Sequence, residues 1–97
     1  SFDTFCGLGS QLVTPDEAPA PEKLFVETWL NGAIAHRNSV SKMLYPPSYI
    51  VSFVSRVMTL LPGDVILTGT PGSVPISRGD TVECRIVGLR SLSNPVL

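Results

Sequence analysis

The chain has 97 residues, of which 43% are hydrophobic and 15% charged, and its formal net charge is −1. This charge balance, without a basic run, excludes a typical nucleic-acid or membrane-surface binder, and no apolar stretch reaches membrane-spanning length. Because soluble domains usually carry about a quarter charged residues, the low fraction predicts apolar surface that packs against a partner or a further part of the same protein.

Residues 1–21 are predicted to be mostly loop. Residues 14–17 combine a threonine, a proline and two acids, which is typical of a helix start, but Pro19 and Pro21 limit it to a single turn. Cys6 and Cys84 are not at metal-site spacing. We expect both to be small buried thiols in a reducing cytoplasm, the predicted location of the protein.

A β-hairpin is predicted over residues 24–35. Leu24, Val26, Thr28 and Leu30 alternate with Phe25, Glu27 and Trp29, the period-two pattern of a strand. Asn31-Gly32 is a strong hairpin signal because both residues tolerate positive φ. The chain then turns polar at residues 36–39. His36 is the sole histidine; a catalytic base and an exposed loop histidine are both possible roles, and the second is the commoner finding.

The best helix candidate covers residues 47–61. Apolar side chains recur at three- and four-residue steps, which predicts one apolar face packed in a core, and Pro62-Gly63 should end the helix. A half-buried strand is predicted around Val82, Cys84 and Ile86, and Pro95 favours an edge position for the last segment.

The most informative segment is the run LPGDVILTGTPG at residues 61–72. Residues 65–67 have the length of a short buried strand, which Thr68-Gly69-Thr70-Pro71-Gly72 then stops. Gly69 would let a ligand approach the backbone, and Thr70 offers a hydroxyl donor and acceptor. An oxygen-binding loop and an ordinary tight turn both fit this pattern. Elsewhere the acidic residues are scattered, and no nucleophile elbow or phosphate-binding loop occurs, so the catalytic residues are unknown.

Several segments together resemble the carboxy-terminal half of the fumarylacetoacetate hydrolase family. They are residues 1–6, 29–32, 62–72, 78–83 and 88–96. The resemblance implies an α+β fold, a β-rich mixed β-sandwich roll with one main helix, usually in a homodimer. It also implies enzymes that cleave, decarboxylate, isomerise or hydrate small 2-oxo acids with a divalent metal such as Mg²⁺, Mn²⁺ or Ca²⁺. Gly69 and Thr70 match the family positions that touch substrate oxygens, with Thr70 as hydrogen-bond donor.

Other parts of the family pattern are absent from this chain. The Glu-x-Glu strand and later aspartate that hold the family's metal lie upstream, so we expect residues 1–97 to form a carboxy-terminal part of the catalytic domain without metal ligands. Three functions remain open. The first is a metal-dependent hydrolase that acts on C–C bonds of acylpyruvates or fumarylacetoacetate-type acids. The second is an isomerase or decarboxylase of 2-hydroxyhepta-2,4-diene-1,7-dioate type in aromatic catabolism. The third is an inactive β-rich interaction module.

Overall fold

The computed structural model describes residues 6–97, so most of the family-like segment at residues 1–6 lies outside the described part. Four antiparallel strands form one sheet in the order β2-β1-β3-β4. The strands are β1 Phe25–Leu30, β2 Ala33–Ser39, β3 Thr81–Ile86 and β4 Leu92–Pro95; the helix α1 is Pro47–Val57, and short 3₁₀ turns occupy Pro21–Lys23 and Val40–Lys42. These elements confirm the predicted α+β class. None of the helices in this part is long and apolar enough to cross a membrane.

The hairpin of β1 and β2 forms around the predicted Asn-Gly turn. Asn31 has φ of 50° and Gly32 has φ of 80°, the left-handed geometry that a two-residue hairpin turn requires. The return strand is longer than expected, because residues 36–39 belong to β2. The predicted end of the hairpin at residue 35 was therefore wrong. Pairing with β1 satisfies the backbone groups that face that strand, while the edge position of β2 leaves several side chains of these residues in water.

A β-bulge interrupts the hairpin at Ala35. Trp29 lies opposite Ile34, but Thr28 lies opposite His36, so Ala35 is the extra residue on β2. Beyond the bulge, each residue of β2 lies on the side of the sheet opposite to the one that a regular hairpin would give it. His36 consequently shares a side of the sheet with Thr28, which we call the cleft face.

The opposite side of the sheet, the charged face, centres on Glu27. This carboxylate is buried, and its neighbours across the sheet are Arg37 on β2 and Arg85 on β3. It accepts a hydrogen bond of 2.8 Å from the indole N–H of Trp29 and lies 3.4 Å from Arg37 Nε. The Arg85 guanidinium lies 3.9 Å from the centre of the Trp29 ring. The buried carboxylate of Glu27 thus has partners on this face, which gives the face a structural role.

Helix α1 ends at Val57, earlier than the predicted Leu61, because Met58 has extended backbone angles. The predicted Pro62-Gly63 turn does form, but as a separate turn closed by Asp64. The Leu61 amide donates to the Asp64 carboxylate at 2.8 Å, and the Asp64 amide donates to the Leu61 carbonyl at 3.1 Å. This local clamp holds Leu61 outside the helix.

The apolar face of α1 is not covered by the described residues. Tyr45, Tyr49 and Phe53 stack in a row with ring centres 5.0 and 6.4 Å apart, and each is about half exposed. No large hydrophobic side chain in residues 6–97 is buried, so the prediction of a packed core on this face was wrong for the chain by itself. The chain exposes 7914 Å², against about 5,400 Å² expected for a compact protein of its mass. This excess of exposed surface agrees with the prediction made from the low fraction of charged residues, namely that apolar surface of this chain packs against a partner or a further part of the protein.

Four smaller predictions have mixed outcomes. Residues 65–67 form no strand, so that strand prediction was wrong; they pair with no strand of the described part. Cys6 and Cys84 are both exposed rather than buried, since nothing in residues 6–97 packs over them. The single turn after Thr14 and the edge position of β4 are confirmed.

Candidate functional site

The Thr-Gly-Thr-Pro loop lines a cleft of about 200 Å³ on the cleft face of the sheet. Gly69 has φ of 89°, a conformation that side chains rarely adopt, and a Cβ built there would meet no atom within 4 Å. Glycine is therefore needed here for its backbone angle, and the space beside it is open. The cleft is lined by Val26, Asn38, Ser39, Val40, Lys42, Met43, Thr68, Gly69, Thr70 and Pro71.

The Thr70 hydroxyl is already engaged within its own loop. Its Oγ1 donates a hydrogen bond of 2.8 Å to the Gly72 carbonyl. This bond fixes the side chain and leaves the oxygen lone pairs as acceptors. A ligand oxygen that takes the Thr70 proton would have to compete with the Gly72 carbonyl. The structure places Gly69 and Thr70 together in the cleft, while their role in binding a substrate stays a prediction.

The charge of the cleft comes from Lys42. It is exposed at the end of the 3₁₀ turn Val40–Lys42, and it is the one charged side chain among the described cleft residues. The turn is capped by Ser39, whose Oγ accepts from the Ser41 amide at 3.2 Å. A cationic cleft with an open backbone segment suits a carboxylate. Sequence reasoning missed Lys42 because the tertiary fold alone brings the turn and the distant loop together.

His36 is half-buried on β2, not exposed in a loop as the sequence suggested. Its Nε2 lies 2.9 Å from the Ser73 carbonyl oxygen, just beyond the Thr-Gly-Thr-Pro-Gly segment. A carbonyl only accepts, so this contact assigns the hydrogen to Nε2. The sole histidine therefore contacts the back of the loop rather than the open cleft.

The residues of the cleft do not fit a divalent metal. Across residues 6–97, no three His, Cys, Asp or Glu side chains come together as metal ligands would, and no carboxylate lines the cleft. Mg²⁺, Mn²⁺ and Ca²⁺ prefer oxygen ligands that include carboxylates. The ammonium of Lys42 would also repel a cation.

The acids with perturbed pKa values lie away from the cleft and hold the framework. The side-chain hydrogen bond from Asn31 is the main cause of the lowered pKa of Asp80, helped by the Ser77 amide. The two-bond contact with Arg85 lowers the pKa of Glu83 and raises that of the arginine. These groups brace the hairpin turn and β3.

The family described as "Fumarylacetoacetate (FAA) hydrolase C-terminal" matches residues 1–97. The chain belongs to the fumarylacetoacetate hydrolase family. This membership confirms the resemblance carried by the hairpin and the Thr-Gly-Thr-Pro-Gly run.

Relatives within the family carry several activities. A mitochondrial oxaloacetate tautomerase of Xenopus laevis is 38% identical over 105 residues, covering 100% of this chain and 33% of the relative. The solved 5-carboxymethyl-2-hydroxymuconate delta-isomerase of Mycobacterium smegmatis is 44% identical with a TM-score of 0.88, covering 99% of this chain and 38% of that one. A maleylpyruvate hydrolase from Sphingobium sp. SYK-6, solved with manganese(II) and pyruvate, is 31% identical with a TM-score of 0.91. The match covers 100% of this chain and 37% of that one.

These matches confirm the predicted fumarylacetoacetate hydrolase-type fold. The similar family members are hydrolases, isomerases and tautomerases. The chain spans about a third of the length of the curated relatives it matches.

Proposed function

We propose that the protein carrying this chain is an enzyme that hydrolyses C–C bonds of small 2-oxo acids, with residues 1–97 as the carboxy-terminal part of its catalytic domain. The observation that carries the proposal is the cleft that joins Lys42 to the Gly69-Thr70 loop. Its one charge is positive, and its open backbone and hydroxyl can face ligand oxygens. A family relative solved with pyruvate, a 2-oxo acid, supports the substrate class.

In this proposal the cleft binds the acid and stabilises developing negative charge. Hydrolysis of an acylpyruvate adds water to the distal carbonyl, breaks the C–C bond and releases the enolate of the 2-oxo acid, which takes up a proton. Lys42 would pair with the carboxylate, and the Thr70 hydroxyl would turn its proton from the Gly72 carbonyl to an oxygen that gains charge. Since the described cleft residues include no carboxylate or free imidazole, the general base would come from another part of the protein.

A divalent metal is part of the proposal, but not of this chain's cleft. The hydrolase from Sphingobium was solved with manganese(II), whereas the cleft residues described above do not fit such an ion. The metal would therefore be held by residues outside this chain. When bound, it would supply a positive charge that polarises substrate oxygens.

A second candidate is a tautomerase or isomerase of similar acids. It is favoured by the similarity to the oxaloacetate tautomerase and to the delta-isomerase. Both reactions also pass through an enol or enolate, so the same cleft residues would serve them. The two candidates differ in whether a C–C bond breaks.

The test uses the complete protein with Mg²⁺ or Mn²⁺, and EDTA-treated protein as the control. Acetylpyruvate cleavage is followed by release of pyruvate, and tautomerisation by loss of the enol absorbance of oxaloacetate. Metal-dependent pyruvate release supports the hydrolase, and enol consumption without cleavage supports the second candidate. Absence of both reactions, and of cleavage or isomerisation of ring-cleavage dienoic acids, would contradict an enzyme and leave the interaction module. Light scattering of the same sample tests the homodimer implied by the family resemblance.

A further inference from the structure

The bulge at Ala35 determines which side of the sheet His36 occupies. In a regular hairpin with this turn, Ala35 would lie opposite Thr28 and His36 opposite Glu27. The observed register instead pairs Thr28 with His36. The bulge thus moves the imidazole from the charged face to the cleft face. Bulges are common near active sites, where they re-aim a side chain in this way.

On the cleft face, the His36 ring fits tightly against the loop. A Cβ built on Gly72 would lie 2.6 Å from Nδ1 and 2.9 Å from Cγ of His36, so a side chain at position 72 would collide with the ring. The Nε2–H also donates to the Ser73 carbonyl at 2.9 Å. Packing and a hydrogen bond therefore fix residues 72 and 73 to β2.

The same two residues lie directly behind Thr70. Its hydroxyl donates to the Gly72 carbonyl, at the residue that the imidazole contacts. We propose that His36 is a positioning residue that sets the placement of Thr70 in the cleft through Gly72 and Ser73. The inference rests on the proposed function, in which Thr70 contacts the substrate.

This placement makes His36 unsuited to act as a base. Its Nε2 carries the hydrogen given to Ser73, and its Nδ1 faces Gly72, where a Cβ would come within 2.6 Å of it. The imidazole therefore acts through the loop and not on the substrate.

The test compares the complete wild-type protein with His36→Leu, His36→Gln, Thr70→Val and the double variant His36→Leu/Thr70→Val. We expect His36→Leu to lower kcat/KM by between about tenfold and a hundredfold, the range for a lost hydrogen bond and a misplaced contact. His36→Gln should recover most of this loss, because its amide Nε2 can donate to the Ser73 carbonyl. In the Thr70→Val background, His36→Leu should cost less than about threefold. Losses that simply multiply in the double variant would overturn the proposal.

A second readout does not depend on turnover. Amide hydrogen exchange of the peptide covering residues 68–73 should be faster in His36→Leu and close to wild type in His36→Gln. Equal exchange in all three proteins would overturn the positioning role. If the wild-type protein has no activity, the proposed function fails, and exchange still decides whether His36 holds the loop. If His36→Leu does not fold, Gly72→Ala replaces it, because the added methyl group would press against the His36 ring. Gly72→Ala is expected to give the same faster exchange of residues 68–73. Unchanged exchange in that variant would refute the contact between the ring and the loop.

Discussion

The replacement of Thr70 by valine tests the candidate site most directly. Valine has nearly the shape of threonine but lacks the hydroxyl, which donates a hydrogen bond of 2.8 Å to the Gly72 carbonyl. The variant therefore removes one hydrogen-bonding group and keeps most of the packing. Serine at the same position keeps the hydroxyl and is the matched conservative change.

The structure sets the size of the two expected effects. Thr70 and its hydrogen bond are exposed, so the free energy of unfolding should fall by only about 0.5–1.5 kcal/mol. If the hydroxyl also stabilises charge that develops on a substrate oxygen, kcat should fall by about 10²–10³, as for a lost oxyanion donor. Activity should therefore drop far more than stability.

The assay is steady-state turnover of the 2-oxo acid that the wild-type complete protein accepts, with urea unfolding measured alongside. Thr70→Ser should retain at least about a third of the wild-type kcat, because its hydroxyl can donate in the same way. Thr59→Val is the control for the substitution itself, since Thr59 is exposed and outside the cleft. It should leave turnover unchanged.

Two results would refute the reasoning. If Thr70→Val turns over substrate at the wild-type rate, the hydroxyl has no role in the reaction. If turnover and stability fall in proportion, and Thr70→Ser falls equally, the residue supports only the loop.

Three further predictions concern the cleft and the framework. Lys42→Met should raise KM by about tenfold to a hundredfold, while Lys42→Arg keeps the charge and most of the binding; equal KM values in both variants would contradict carboxylate pairing. Asn31→Ala should lower the free energy of unfolding by about 2–4 kcal/mol, because it strains the positive φ and removes the side-chain bonds to Asp80 and Thr81. Asn31→Gly, which accepts the φ, should lose less; an equal loss in urea unfolding would contradict the strain. The Asn31 hydrogen bond lowers the pKa of Asp80 from its ordinary value of 3.8. The stabilisation that this bond gives the folded protein is therefore complete at pH values above 3.8 and is lost as the pH falls below 3.8. Unfolding of Asp80→Asn should depend less on pH in that acidic range than wild type, and an unchanged slope would refute the linkage.

Some predictions succeeded because neighbours along the chain decide them. The Asn31-Gly32 turn follows from two residues that tolerate positive φ, and the start of α1 at Pro47 follows from a residue that fits the first turn of a helix. The family membership was also readable from the sequence, because its pattern lies in ordered local segments such as the Thr-Gly-Thr-Pro-Gly run. The position of Gly69 and Thr70 on one loop needed no tertiary information.

Other features depend on contacts between residues far apart in the chain. The sequence does not show that His36 reaches Ser73, because a one-residue bulge on β2 decides which face it occupies. Nor does it show that Lys42 and Thr70 share a cleft, or that Cys84 and the apolar side of α1 are left uncovered. The sequence by itself determined the turns, the helix start and the family, because local backbone preferences act between near neighbours. Only the tertiary structure decided the faces, the cleft and the exposed surface, because strand register and loop placement are set by pairing and packing across the whole fold.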